Sequence, residues 1–358
     1  MANQKTLFRF LHFFFFFAIL TGNQFVQGHG HHHHHHSSRG DRLGLSKLFV
    51  FGDSYADTGN SRRSAGSWLT PYGITFPGKP AGRYSDGRVF TDYLASYLKI
   101  KSPIPYRWRK MGMKPLRHGM NFAYGGTGVF DTLVPEPNMT TQINFLQQLI
   151  QDGVYTKSDV RSSIALVSLA GNDYGTYTAT NGTAQGLPAY ITTVVNQLAL
   201  NLKRIHGLGV RKVTVAALPP LGCLPQSTVM SSFQNCNGTQ NTAVNLHNQL
   251  LQQAVVKLNN SSRDSAIVIL NFYSAFMSAF RSQGNQPGSS KFENPLKPCC
   301  LGISNQYSCG SVDEHGVKKY MICQNPKSTF FWDGVHPSQQ GWLAVYSALR
   351  RSLDQLYY

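Results

Sequence analysis

From about residue 46 the chain alternates short apolar runs with longer amphipathic stretches, and this alternation limits its folds more than any other feature. KLFVFGDS (47–54) is an apolar run that stops in Gly-Asp-Ser. QINFLQQLI (142–150) carries apolar residues at 143, 146, 149 and 150, a helical spacing. SSIALVSLAGND (162–173) is a continuous apolar run and reads as a strand buried on both faces. AYITTVVNQLALNLKRIHGLG (189–209) is helical and ends in glycine, and RKVTVAALPPLG (211–222) is a strand stopped by prolines. A helix over TAVNLHNQLLQQAVVKLNN (242–260), a strand over SAIVILNFY (265–273) and a final helix over 337–358 complete the series. Strand and helix in turn predict an α/β fold of three layers, a central parallel sheet with helices on both faces. In such a fold the ligand site lies beyond the carboxyl ends of the strands. Ser54, the LAGND segment and the LPPLG segment each follow one of those ends.

The N-terminus reads differently. Lys5 and Arg9 precede the apolar run LHFFFFFAIL, and TGNQFVQG then supplies small residues suited to cleavage. This predicts a secretory signal peptide over 1–28. Residues 29–45 hold six consecutive histidines and form a His-rich linker or a tag; such a tract binds metals loosely but builds no site of fixed geometry. The domain then runs from 46 to 358. Secretion carries two further expectations. The six cysteines, Cys223, Cys236, Cys299, Cys300, Cys309 and Cys323, are an even set suited to disulfides. Adjacent cysteines rarely bond each other, so Cys299 and Cys300 are each expected to reach one of Cys309 and Cys323, with Cys223 paired to Cys236. Asn138, Asn181, Asn237, Asn259 and Asn260 head Asn-x-Ser/Thr sequons and are candidate glycosylation sites.

Charge narrows the partners. The net charge is +17, and 17 − 2 = +15 without Lys5 and Arg9. The basic residues are scattered rather than gathered into a nucleic-acid footprint. In a secreted chain an acidic cell-wall polysaccharide is the more natural polyanion. No metal or other cofactor is expected: outside the histidine tract there is no ligand cluster. GITFPGKP (73–80) mimics a phosphate loop, but Pro80 stands where the magnesium-binding hydroxyl belongs. No serine sits in Gly-x-Ser-x-Gly.

A serine hydroxyl needs a base, a group that orients the base, and donors for the oxyanion. FFWDGVHPS (330–338) offers Asp333 and His336 in Asp-x-x-His, which can fold into one turn. NFAYGGTG (121–128) brings Gly125 and Gly126, and LAGND brings Asn172. Taken in order, FVFGDSYADTGN, NFAYGGTG, SLAGNDY and FWDGVHPS resemble the four blocks of the GDSL lipase/esterases, the SGNH hydrolases. With LPPLGCLP and the Cys-Cys segment, the chain resembles the plant branch of that family from about residue 46 to its end.

The resemblance implies a flavodoxin-like α/β/α fold and a secreted serine esterase/lipase that works through an acyl-enzyme. It implies Ser54 as nucleophile, His336 as base and Asp333 as its orienting carboxylate. The oxyanion donors it implies are the backbone N–H of Ser54, that of Gly126 with Gly125 as competitor, and the Asn172 side chain. Two positions depart from the family pattern: Tyr55 replaces the usual Leu, and Tyr124 replaces a small residue, so both bear on pocket shape. The expected substrate is a lipid or an acylated small molecule or polysaccharide. Acyl transfer, by attack of an alcohol on the same acyl-enzyme, stands beside hydrolysis. A hydrolase scaffold that holds a lipid or glycan without turnover stands beside both.

Overall fold

The computed structural model describes residues 44–262, 265–282, 284 and 291–358. The signal peptide and nearly all of the His-rich linker therefore lie outside the described residues. The strands of the main sheet are β1 (Lys47–Gly52), β2 (Ile104–Pro105), β3 (Gly119–Asn121), β4 (Ser163–Ser168), β5 (Lys212–Ala216) and β6 (Ile267–Leu270). They lie in the order β2-β3-β1-β4-β5-β6, every pair parallel. A separate antiparallel hairpin pairs β7 (Cys300–Gly302) with β8 (Tyr320–Ile322).

The helices are α1 (Phe90–Tyr97), α2 (Met113–Leu116), α3 (Met139–Gln151), α4 (Lys157–Arg161), α5 (Gly171–Ala179), α6 (Leu187–Gly207), α7 (Pro225–Thr228), α8 (Gly238–Ser262), α9 (Phe272–Arg281) and α10 (Gln339–Leu353). Among the described residues none is long and apolar enough to cross a membrane.

The two-residue period of β1 divides the core. Phe49 and Phe51 point to one face and pack with Ile143 and Leu146 of α3, Val194 and Leu198 of α6, and Leu251 of α8. Leu48 and Val50 point to the other and pack with Leu94 of α1, Phe276 of α9, and Trp342 and Val345 of α10. Every one of these side chains is buried. The result is the three-layer α/β/α architecture that the alternation predicts.

The connectivity places the site. From β1 the chain runs out to β2 and β3 on one side, then crosses to β4 on the other. The carboxyl end of β1 is thus a topological switch point, where the flanking connections part and leave a crevice.

Candidate active site

Ser54 stands at that switch point. Gly52, the last residue of β1, lies so close to β4 that a Cβ would sit 2.5 Å from the Ser168 carbonyl oxygen. Only glycine fits, and the tight pairing brings the two strand ends together. The Asp53 N–H donates to the same carbonyl at 3.1 Å. The chain then turns helically, with the Ala56 and Asp57 N–H groups donating to the Asp53 carbonyl. The buried Gln142 of α3 clasps Gly52 from the other face: its Oε1 accepts from the Gly52 N–H at 2.8 Å and its Nε2 donates to the Gly52 carbonyl at 3.0 Å.

The Asp57 carboxylate organises the next turn. It accepts from the N–H groups of Gly59, Asn60 and Ser61, from the Ser61 hydroxyl, and from the Gly125 N–H at 3.3 Å. The Gly125 N–H also donates to Ser61 Oγ at 3.0 Å. Gly125 is therefore engaged within the protein. The Gly126 and Ser54 N–H groups have no acceptor among the described residues. Gly126 adopts φ +83°, a left-handed conformation that suits glycine.

Asn172 occupies the second position of α5 rather than a plain turn, because Ala170 at φ +103° swings the chain off β4 directly into a helix. Its Nδ2 donates to the Thr127 carbonyl at 2.9 Å and approaches Asp53 Oδ2 at 3.4 Å. The adjacent Asp173 accepts from the Val129 and Phe130 N–H groups, both at 2.9 Å, and so ties α5 to the glycine loop.

The Asp-x-x-His turn forms as its spacing predicts. Asp333 Oδ1 accepts from the N–H groups of Val335 and His336, each at 2.8 Å. His336 Nδ1 lies 2.8 Å from Asp333 Oδ2, and Nε2 lies 2.8 Å from Ser54 Oγ. Ser338 ends the turn by capping α10, its Oγ accepting from the Gly341 N–H.

Several contacts had no signal in the sequence. The Tyr72 hydroxyl donates to Asp333 Oδ2 at 2.6 Å across 261 residues. The Tyr84 ring lies against His336 with centroids 5.0 Å apart. Gln142 likewise belongs to no motif of catalytic type, and Asp57, though within FVFGDSYADTGN, had no role assigned to it.

The carboxylates differ in their surroundings. Burial alone would raise Asp333, but the adjacent His336 and the hydrogen bonds from His336 and Tyr72 outweigh it and hold the carboxyl below its ordinary range. Burial pushes Asp53 up to about 7 and Asp173 up to about 6.

A cavity of about 710 Å³ opens beside Ser54. Gly126, Asn172, Leu169, Leu218 and Phe272 help to line it, and among the described residues Asp53 is the one acidic or basic side chain in its lining. Tyr55 also lines it and is fixed by its hydroxyl, which donates to the Val335 carbonyl at 2.9 Å. Tyr124 is not among the lining residues. Among the described residues no group of His, Cys, Asp and Glu could hold a metal ion.

Three disulfides are present: Cys223–Cys236, Cys299–Cys323 and Cys300–Cys309. The sequons fall in varied settings. Asn181, Asn237 and Asn260 are exposed. Asn138 caps α3, accepting from the Thr141 N–H. Asn259 holds the Ile267 backbone with both arms of its amide.

Comparison with known proteins adds sequence relationship to this geometry. A family model described as GDSL-like Lipase/Acylhydrolase matches residues 48–349. A GDSL esterase/lipase of Arabidopsis thaliana is 60% identical over 311 residues, covering 86% of this chain and 87% of the relative. A second from the same plant is 55% identical over 320 residues, covering 88% and 90%. Acetylajmalan esterase 2 of Rauvolfia serpentina is 29% identical, covering 82% and 86%.

Proposed function

The chain belongs to the GDSL-like lipase/acylhydrolase family and hydrolyses ester bonds, and from that premise we propose that Ser54, His336 and Asp333 carry the reaction through an acyl-enzyme. The observation that carries this reading is the unbroken chain from Ser54 Oγ to His336 Nε2 and from His336 Nδ1 to Asp333 Oδ2, each link 2.8 Å.

His336 Nε2 takes the hydroxyl proton as Ser54 Oγ bonds to the acyl carbon. The carbonyl oxygen becomes an oxyanion and accepts from the Ser54 N–H, the Gly126 N–H and Asn172 Nδ2. Gly126 is preferred over Gly125 because the Gly125 N–H already donates to Ser61 and Asp57. On collapse the alcohol leaves with the proton from His336, and the acyl group stays on Ser54. Water then attacks the acyl carbon and gives its proton to His336. A second oxyanion forms and collapses, freeing the acid and restoring the serine hydroxyl with the proton from His336. Asp333 stays ionised and orients the ring throughout.

The apolar wall of the cavity favours an uncharged substrate portion beside Ser54, from a lipid or an acylated small molecule or polysaccharide. The same reading takes residues 1–28 as a signal peptide, 29–45 as a linker or tag and 46–358 as a secreted, glycosylated hydrolase domain, which the three disulfides suit. Acidic cell-wall polysaccharide is its proposed polyanionic partner. The surface around Trp68 supports this, with the exposed Arg63 guanidinium 3.8 Å over the indole.

Ser54→Ala tests the core of the reading. The variant should keep its circular dichroism spectrum and lose hydrolysis of p-nitrophenyl acetate and butyrate by several orders of magnitude. Retention of most activity would overturn the assignment.

A further inference from the structure

The two oxygens of Asp333 are held by different parts of the chain. Oδ1 is fixed by its own turn, through the N–H groups of Val335 and His336. His336 Nδ1 lies 2.9 Å from Oδ1 and 2.8 Å from Oδ2, and Oδ2 alone also receives the Tyr72 hydroxyl, at 2.6 Å. Among the described residues no lysine or arginine pairs with Asp333. Among the described residues Tyr72 is thus the only side chain besides His336 bonded to this buried carboxylate.

Tyr72 is itself firmly seated. It is buried, edge-on to Trp332 and to Tyr84, and clusters with Cys299, Cys300 and Cys309. The segment that carries it is strapped to the start of α10. The Gly73 N–H donates to the Ser85 carbonyl and the Thr75 N–H to the Asp86 carbonyl. Asp86 Oδ1 in turn accepts from the N–H of Gln339, the first residue of α10, at 2.7 Å. The same segment brings the Tyr84 ring against His336. Burial, with Asp333 beside it, pushes the Tyr72 hydroxyl well above its ordinary range, so it remains a donor at working pH.

We propose that Tyr72 is a positioning residue for the base: its hydroxyl locks Asp333 Oδ2 in line with His336 Nδ1. The inference rests on the reading of Asp333 and His336 as the orienting and general-base pair. Tyr72 does not line the cavity, so it acts through Asp333 and not on substrate.

Tyr72→Phe keeps the ring and removes the donor. With p-nitrophenyl butyrate, kcat should fall about tenfold, the loss of one hydrogen bond to a charged group. KM should stay within about twofold. The acidic limb of kcat/KM against pH should move to higher pH, because a carboxylate with one donor fewer makes the Asp-His pair hold its proton more tightly. Tyr72→3-fluorotyrosine keeps the shape and strengthens the donor, and should move the limb the other way. A packing role alone would scale the rate equally at every pH, so a limb unmoved in both variants overturns the proposal. Unchanged kcat in Tyr72→Phe overturns it as well. Ser54→Ala measured in parallel separates the two readings: activity in that variant sinks the triad, whereas an inactive Ser54→Ala beside a wild-type Tyr72→Phe sinks only the role of Tyr72.

Discussion

The Asn172 amide has two N–H bonds. One is engaged with the Thr127 carbonyl at 2.9 Å, and the other faces Asp53 Oδ2 at the long distance of 3.4 Å. An oxyanion beside Ser54 would compete for that second bond on better terms, since it carries a full charge. Asn172→Ala should therefore lower kcat by about 10²–10³-fold with little change in KM. A change confined to KM in steady-state kinetics would make Asn172 a substrate-binding group only. At this scale the sequence was most legible where chemistry and local geometry coincide. Asp333 and His336 are three residues apart, and one turn suffices to pair them. Choosing between Gly125 and Gly126 was beyond it, because the choice depends on Ser61 and Asp57, more than sixty residues away. Tyr72 was equally hidden, since nothing in TPYG marks a partner 261 residues on.

The hairpin of β7 and β8 is an element that could not stand alone. Two strands of three residues each bury too little to hold together in water. Disulfides 299–323 and 300–309 staple it, and the N–H groups of Cys299 and Cys300 donate to the Phe331 and Trp332 carbonyls, next to Asp333. Replacing Cys300 and Cys309 together with serine should cost about 2–5 kcal/mol of stability. Because this pair clusters with Tyr72 and Trp332, kcat per folded molecule should fall too. Scanning calorimetry and rates normalised to folded protein check both; loss of stability with unchanged kcat would show that the hairpin does not reach the base. The even count of cysteines and the adjacency of Cys299 and Cys300 made the staple legible, but not the strands. Elements β2, β3 and α1 were missed for a related reason. A three-residue strand such as Gly119–Asn121 shows no periodicity, and its strand identity comes from pairing with β1. The long apolar runs of β1 and β4 and the helical spacing within α6 are legible on their own.

Over the whole molecule, buried titratable groups set how stability responds to pH. Burial raises Asp53 to about 7 and Asp173 to about 6, so each binds its proton more tightly folded than unfolded. Such carboxyls favour the folded state at low pH, and that stability is lost as pH rises from about 4 through their folded values. Burial lowers His247 to about 3, where its Nδ1 sits 2.6 Å from the Tyr174 hydroxyl. It acts in the opposite sense, because the unfolded chain protonates below about 6.5 while the folded chain does not. Asp333 and Asp92 are held low, so the stability they add is present above about pH 4 and is lost only in stronger acid. Between about pH 4 and 6 Asp53 and Asp173 thus favour the folded state as pH falls, with the buried Asp57 and Asp86 raised in the same sense, while His247 and His118 oppose them. Between about 6.5 and 7 Asp53 still titrates, with the same sign. The protein should therefore be most stable in mild acid, its melting temperature rising as pH falls from about 7.5 to 5. Asp173→Asn should flatten the lower part of that rise and leave the upper part, where Asp53 titrates, in place. Differential scanning fluorimetry across this range decides the matter: a melting temperature that climbs from pH 5 to 7.5 would mean that these two carboxyls are ionised in the folded protein.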